Sequence, residues 1–258
     1  MIEVRNVYQA YGKHNVLTNV NMIIQEHKIT GLIGPNGAGK STLLGVISRL
    51  LALKTGEILI HGKNIKEMSN IEIAKIISVL RQNNNLAIKI TVKELVTFGR
   101  FPHSKGRIND ADEKAIEEAI RFMELDAISS KFIDELSGGQ LQRVYIAMIL
   151  AQDTPYIFLD EPLNNLDIKH TVDFMKNLQR LVKEKNKTIV IVMHDINVAS
   201  AFCDHIVAMK DGEIIKEGNI DEMIQSEVLD GIFDHNFCIT GIDGQRVCLY
   251  KHINIEKA

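Results

Sequence analysis

The chain has 258 residues, 45 % of them hydrophobic and 24 % charged, enough to bury a full core as one large domain with a subdomain. A net charge of −3 and an isoelectric point near 6.3 give no basic field, which argues against nucleic acid as the main partner. Three cysteines without a C-x-x-C pair read as reduced thiols of a cytosolic protein. No apolar run reaches the ~18 residues of a membrane helix and no signal-peptide pattern opens the chain, so any membrane role is expected to act through a partner.

Taken in order, Ile2 to Val7 alternates like a half-buried strand and Val16 to Ile24 reads as another. Between them Tyr11-Gly12 sits in a hairpin connection. Tyr11 is either an ordinary turn tyrosine or a platform on which a purine base stacks. Lys28 to Ile33 is a buried strand, followed by Gly34-Pro35-Asn36-Gly37-Ala38-Gly39-Lys40-Ser41-Thr42, which fits G-x-x-x-x-G-K-[ST] without a mismatch. Leu43, Leu44, Val46, Ile47 and Leu50 then fall at helical spacing. Strand, glycine loop and helix form a phosphate cradle. The glycines let backbone amides close on an anion, and the helix N-terminus adds partial positive charge. Lys40 reaches the β- and γ-phosphates in such a loop, and the Ser41 hydroxyl ligates Mg²⁺. This pattern predicts nucleoside triphosphate binding.

Glu57 to Gly62 and Ile76 to Leu80 are two more strands, the second stopping at Arg81-Gln82 before Asn83-Asn84-Asn85. From about residue 86 to 150 the pattern is helical. Asn109 or Asp110 caps a helix with Ala115, Ile116, Ala119, Ile120 and Met123 on one face. Phe98 to His103 reads as a loop with two exposed aromatics, a packed loop end or a contact surface.

Leu136-Ser137-Gly138-Gly139-Gln140 precedes Val144, Ala147, Met148 and Ala151 at helical spacing. Ser137 suits an N-cap, and two glycines then expose amides at a helix start, a second anion site. Glycine-capped helices are common, so in isolation this five-residue stretch is equally an ordinary cap. Because the loop at Lys40 already holds its own nucleotide, two copies facing each other would give the second site a use. Tyr156 to Asp160 is a buried-type strand that delivers a carboxylate where Mg²⁺ needs one, and Glu161 beside it is placed to orient or deprotonate a water. His194 ends the strand Thr188 to Met193 on the ligand side of a parallel sheet. Asp211-Gly212 and Asp243-Gly244 each join two strand patterns as hairpins, the second making a C-terminal β-ribbon.

These motifs, in the required order, now make a set. The chain resembles the ATP-binding subunits of ABC transporters over essentially its whole length. GPNGAGKST resembles their Walker A, IFLDE their Walker B, and LSGGQ their signature motif. Gln82 stands at the Q-loop position, Asn164-Asn165-Leu166-Asp167 at the D-loop, and His194 at the switch histidine. The resemblance implies an α/β P-loop NTPase with a RecA-like core, an N-terminal antiparallel β portion and an inserted α-helical subdomain. It implies a core over 1–85 and 151–220, a helical signature subdomain over 86–150, and a C-terminal helix and ribbon over 221–258.

It also implies roles. Tyr11 stacks adenine; Asn36, Gly37, Ala38, Gly39, Lys40, Ser41 and Thr42 hold phosphates; Ser41, Gln82 and Asp160 serve Mg²⁺. Glu161, with His194 and Lys40, carries catalysis. Ser137, Gly138, Gly139 and Gln140 complete the ATP site of a second copy in a head-to-tail dimer, with Asp167 at the interface. Phe98 to His103 with His194-Asp195-Ile196-Asn197 looks like the iron–siderophore, haem and cobalamin import group, iron–siderophore most of all. That implies ATP and Mg²⁺ as cofactors, integral-membrane permease subunits, an extracytoplasmic receptor acting indirectly, and a place on the cytoplasmic face of the membrane. The chain departs from the usual pattern in three ways: Arg81 for a proline, Leu141 for a basic residue, and Asn164-Asn165 for a small pair. The competing reading is a soluble ABC-type ATPase of a cytosolic assembly, such as iron–sulfur cluster assembly, which carries the same ATP-site motifs.

Overall fold

The computed structural model describes residues 1–81, 88–164 and 166–250. At the N-terminus β1 (Ile2–Tyr11) and β2 (His14–Ile24) form an antiparallel hairpin that turns at Gly12, where φ is +60°. β3 (Ile29–Ile33) is buried at all five positions, the mark of a strand covered on both faces. α1 (Lys40–Ile47) follows the glycine loop. β4 (Thr55–Ile60) and β5 (Lys63–Asn64) extend the first hairpin into a four-stranded sheet, ordered β2-β1-β4-β5. α2 (Asn70–Ala74) then leads into β6 (Ile77–Leu80).

The helical stretch holds α3 (Val92–Phe98), α4 (Phe101–Ser104), α5 (Asp110–Phe122) and α6 (Gly138–Ala151). Alternation resumes with β7 (Tyr156–Asp160), α7 (Ile168–Lys185), β8 (Thr188–Val192), α8 (Ile196–Phe202) and β9 (His205–Lys210). β10 (Glu213–Gly218), α9 (Ile220–Met223), α10 (Ser226–Phe233) and the ribbon β11 (Phe237–Ile242) with β12 (Gln245–Tyr250) complete it.

The second sheet is ordered β10-β9-β3-β8-β7-β6, with β9, β3, β8, β7 and β6 parallel and β10 antiparallel at the edge. Its two faces belong to different cores. One face packs on the helices, where Phe174, Met175, Leu178 and Leu181 of α7 meet Ile189 and Ile191. Burying each such side chain contributes about 1.5–3 kcal/mol. The other face packs on α1 and the antiparallel sheet through Leu32, Leu43, Val190 and Val207. The strands' C-terminal ends therefore share one open edge, the place where such sheets bind ligands.

Two local expectations are corrected. α1 stops at Ile47, because the Ser48 hydroxyl bonds back to Leu44 O at 2.7 Å and Arg49 turns to φ +58°. Leu50 is thus off the helix face and 56 % exposed. Phe98 to His103 is not a loop: Phe98 ends α3 and α4 begins at Phe101. Arg100 between them is buried, donating to Asp112 Oδ1 at 2.9 Å and Ala151 O at 2.8 Å. The two phenylalanines stay outside, 53 % and 65 % exposed. At both Asp-Gly hairpins the pair has positive φ, as a two-residue turn with matching twist requires. Among the described residues, no helix is long and apolar enough to cross a membrane.

Candidate nucleotide site

The glycine loop is shaped by close packing. A Cβ on Gly34 would lie 2.0 Å from Met209 O, and one on Gly39 2.7 Å from Val16 O, with φ at +144° and +96°. Only glycine fits both places. Gly37, at φ +81°, has open space around it. Lys40 is buried, and its ammonium donates to Gly34 O and Pro35 O, each at 2.8 Å. Burial pushes its pKa below the ordinary lysine value, while the charges of Glu161 and Asp160 pull it back up. A compact cation is thus held by two backbone carbonyls of the glycine loop.

β7 brings its carboxylate to the same place. Ser41 Oγ donates to Asp160 Oδ1 at 2.7 Å. Burial raises the Asp160 carboxyl above its ordinary value, and the neighbouring Glu161 charge adds to this. The Ser41 hydrogen bond and the charges of Arg81 and Lys40 oppose the rise. Arg81, a departure from the pattern, therefore acts on this carboxylate. A hydroxyl and a carboxylate beside a second carboxylate are hard oxygen donors with surplus negative charge, which fits a divalent cation. Among the described residues no His, Cys, Asp and Glu cluster could hold a metal by itself. A cation here needs oxygens from the nucleotide or from water. Gln82, the third expected ligand, lies outside the described residues.

Glu161 follows Asp160 with φ at +50°, a left-handed conformation rare for glutamate. Its carboxylate has other partners than that of Asp160. Its Oε1 lies 2.9 Å from His194 Nε2, and Asn164 Nδ2 donates to its Oε2 at 2.8 Å. Both oxygens have partners, so the group is oriented. Two adjoining hollows, of about 230 and 160 Å³, meet at Ser41 and Thr42. Tyr11 and Asp160 line the first; Asn36 to Lys40 and Glu161 line the second.

The LSGGQ stretch lies elsewhere. Ser137 caps α6, accepting from Gln140 N at 3.3 Å, while Gln140 Oε1 accepts from Ser137 N at 3.0 Å. Ser137, Gly139 and Gln140 line a hollow of about 470 Å³ that shares no residue with the other two. Gly138 has open space, whereas a Cβ on Gly139 would lie 2.2 Å from Cδ2 of His170. Asp167 caps α7, its Oδ1 accepting from His170 N at 2.8 Å. Asn165 lies outside the described residues. The chain therefore gathers Tyr11, the loop, Asp160, Glu161 and His194 at one sheet edge. It holds the turn from Ser137 to Gln140 apart from them.

Reasoning from sequence missed Asn164 as the partner of Glu161, although its spacing of three residues after Glu161 was a usable signal. It also missed Gln142, whose Nε2 donates to Pro162 O at 2.9 Å and ties α6 to the turn after β7. His170, packed against Gly139, carries no signal in one dimension.

Comparison with known proteins agrees with this geometry. The profile of the family described as ABC transporter matches residues 17–164. The petrobactin import ATP-binding protein YclP of Bacillus subtilis (strain 168) is 54 % identical over 250 residues, 97 % of this chain and 99 % of that protein. The iron(3+)-hydroxamate import ATP-binding protein FhuC of the same strain is 42 % identical, covering 96 % of this chain and 94 % of that one. Among solved structures, the dimeric structure of MJ0796, a bacterial ABC transporter cassette, superposes with a TM-score of 0.74 at 35 % identity. That match covers 85 % of this chain and 99 % of the other.

Proposed function

The chain belongs to the ABC transporter family, and from that premise we propose that it is the ATP-hydrolysing subunit of an importer for an iron–siderophore or a related chelate. One observation carries the mechanism: the two anion-binding turns of a single chain line hollows with no residue in common. One copy then supplies only half of what surrounds a triphosphate. Two copies arranged head to tail supply both halves twice, Ser137 to Gln140 of each closing on the nucleotide of the other.

In this reading Tyr11 stacks the adenine, and the amides from Asn36 to Thr42 hold the phosphates. Ser41 and Asp160 would hold Mg²⁺, with Gln82 the further ligand the family pattern implies, and the ion would supply charge neutralisation on the phosphate oxygens. Lys40 offsets the charge that develops on the transferred phosphoryl group. Glu161, held by Asn164 and His194, takes the proton of the attacking water. Asp167, at the start of α7, lies at the contact between copies. The working division keeps 1–85 with 151–220 as the ATP-binding core, 86–150 as the helical subdomain and 221–258 as the C-terminal element.

Closure on two ATP and opening after hydrolysis would move permease subunits between inward- and outward-facing states. The subunit would then sit on the cytoplasmic face, held by the permease, with an extracytoplasmic receptor as an indirect partner. YclP and FhuC are named as import ATP-binding proteins, which supports this reading over a cytosolic assembly ATPase.

The test is Glu161→Gln. Hydrolysis should fall at least 10²-fold, the scale of a lost general base, while ATP still binds and a nucleotide-bound dimer accumulates in size-exclusion chromatography. Unchanged steady-state turnover would remove Glu161 from the mechanism. For the cargo, a deletion strain should lose growth on iron chelates but not on free iron, and growth equal on both would refute it.

A further inference from the structure

Asn197 lies three residues beyond His194, in the first turn of α8. Its own amide is capped by Asp195, whose Oδ1 accepts from Asn197 N at 2.8 Å and from Val198 N at 3.0 Å. Its side chain faces the C-terminal ribbon and meets one residue there in both directions. Oδ1 accepts from Cys248 N at 2.7 Å, and Nδ2 donates to Cys248 O at 3.1 Å. Only an amide side chain offers a donor and an acceptor side by side, so it pairs with β12 as another strand would. One turn further on, Ser200 Oγ donates to Arg246 O at 2.7 Å.

The ribbon itself is anchored elsewhere. Arg246 Nε donates to Asp221 Oδ1 at 2.7 Å and its Nη1 to Ile224 O at 3.2 Å, while Phe237 N donates to Asp230 Oδ1 at 2.7 Å. Phe237 and Cys248 are buried. The ribbon is thus a fixed strut, and α8 is what it holds. Between the end of β8 and α8 lie only Met193, His194 and Asp195. Any shift of the helix passes directly to the histidine ring, which stands 2.9 Å from Glu161.

We propose that Asn197 is a positioning residue for ATP hydrolysis: by clamping α8 to the C-terminal ribbon it holds His194 against Glu161. The inference rests on the reading of Glu161 and His194 as the hydrolytic pair. Ile196 and Ala199 are buried against the core independently of the Asn197 side chain's partners, so without the clamp the helix should remain while its placement relaxes. A misplacement of about 1 Å is enough to cost up to 10²-fold in rate.

The experiment uses the full-length chain with magnesium–ATP. Asn197→Ala should lower kcat about 5- to 20-fold with KM for ATP within about twofold, because no residue of α8 lines the hollows at the phosphate loop. Ser200→Ala should lower kcat about twofold. In single-turnover measurements on a His194→Ala background, Asn197→Ala should cause no further loss. A kcat for Asn197→Ala equal to that of the unsubstituted chain would overturn the proposal, as would the same fold-loss in the absence of His194. If His194→Ala alone left the rate unchanged, the catalytic pairing itself would fall and the proposal with it. Folding is checked by thermal melting, and if Asn197→Ala does not fold, Ser200→Ala carries the same comparison.

Discussion

Replacing Arg100 by methionine tests how the exposed phenylalanines are held in place. Arg100 and Asp112 are an ion pair with side chains only 10 % and 2 % exposed. Burial pushes the Asp112 carboxyl up, but the bonds from Arg100 and the Asn109 amide, with the guanidinium charge, hold it below its ordinary value. Methionine keeps the bulk of the stem and removes the charge. It leaves a carboxylate buried without its cation and Ala151 O without the Arg100 donor. Breaking a buried pair from one side costs about 3–5 kcal/mol. At about 2 °C per kcal/mol for a chain of this length, Tm should fall by about 6–10 °C.

The assay is thermal melting of Arg100→Met, Asp112→Asn and the double variant at two pH values. The double variant should melt above Arg100→Met, because no lone charge is left inside. The pH dependence has a definite sign. A carboxyl whose pKa is lowered by folding stabilises the native state above its unfolded pKa of about 4, and this is lost as pH falls through the folded value. In Arg100→Met the same carboxyl is penalised when ionised and relieved by protonation. The Tm gap between the two proteins should therefore narrow as pH is lowered towards 4. A melt of Arg100→Met within 2 °C of the unsubstituted chain, or a second substitution that deepens the loss, would refute the account.

Lys40→Ala should weaken ATP binding about 10- to 100-fold by calorimetry, the loss of a charge-assisted contact of about 1.5–3 kcal/mol; undiminished affinity would count against the cradle. Phe101→Ala removes a 65 % exposed ring, so the ATPase rate of the isolated subunit should stay near that of the unsubstituted chain while transport coupled to the permease falls. Equal uptake by that variant would show that the ring does not touch the membrane partner.

What could be read in one dimension was what depends on neighbours in sequence. The glycine loop is a local shape followed by a local helix, and β3 before it is a five-residue strand with Ile29, Leu32 and Ile33 as its apolar positions. The Asp-Gly turns, the Asn109 and Ser137 caps and the strand-end acids are all settled within four residues of themselves. Leu50 misled because apolar spacing continues past the point where Ser48 and Arg49 end the helix. Phe98 to His103 misled because glycine and proline usually signal loops. Here Gly99 lies so close to α6 that a Cβ would sit 2.0 Å from Met148 O, and proline is welcome in the first turn of α4.

The sequence by itself determined which chemistries the chain carries: a phosphate loop, an acidic strand end, a second glycine-capped helix and a strand-end histidine. Only the tertiary structure decided which of them share a site. It brought Ser41 to Asp160 across 119 residues and set His194 beside Glu161. It placed Asn197 against Cys248 across 51 residues and kept Ser137 to Gln140 apart from all of them. The physical reason is that hydrogen-bonding and apolar patterns along a chain specify local conformation. Distances between remote side chains follow from strand order and core packing, which no residue encodes alone.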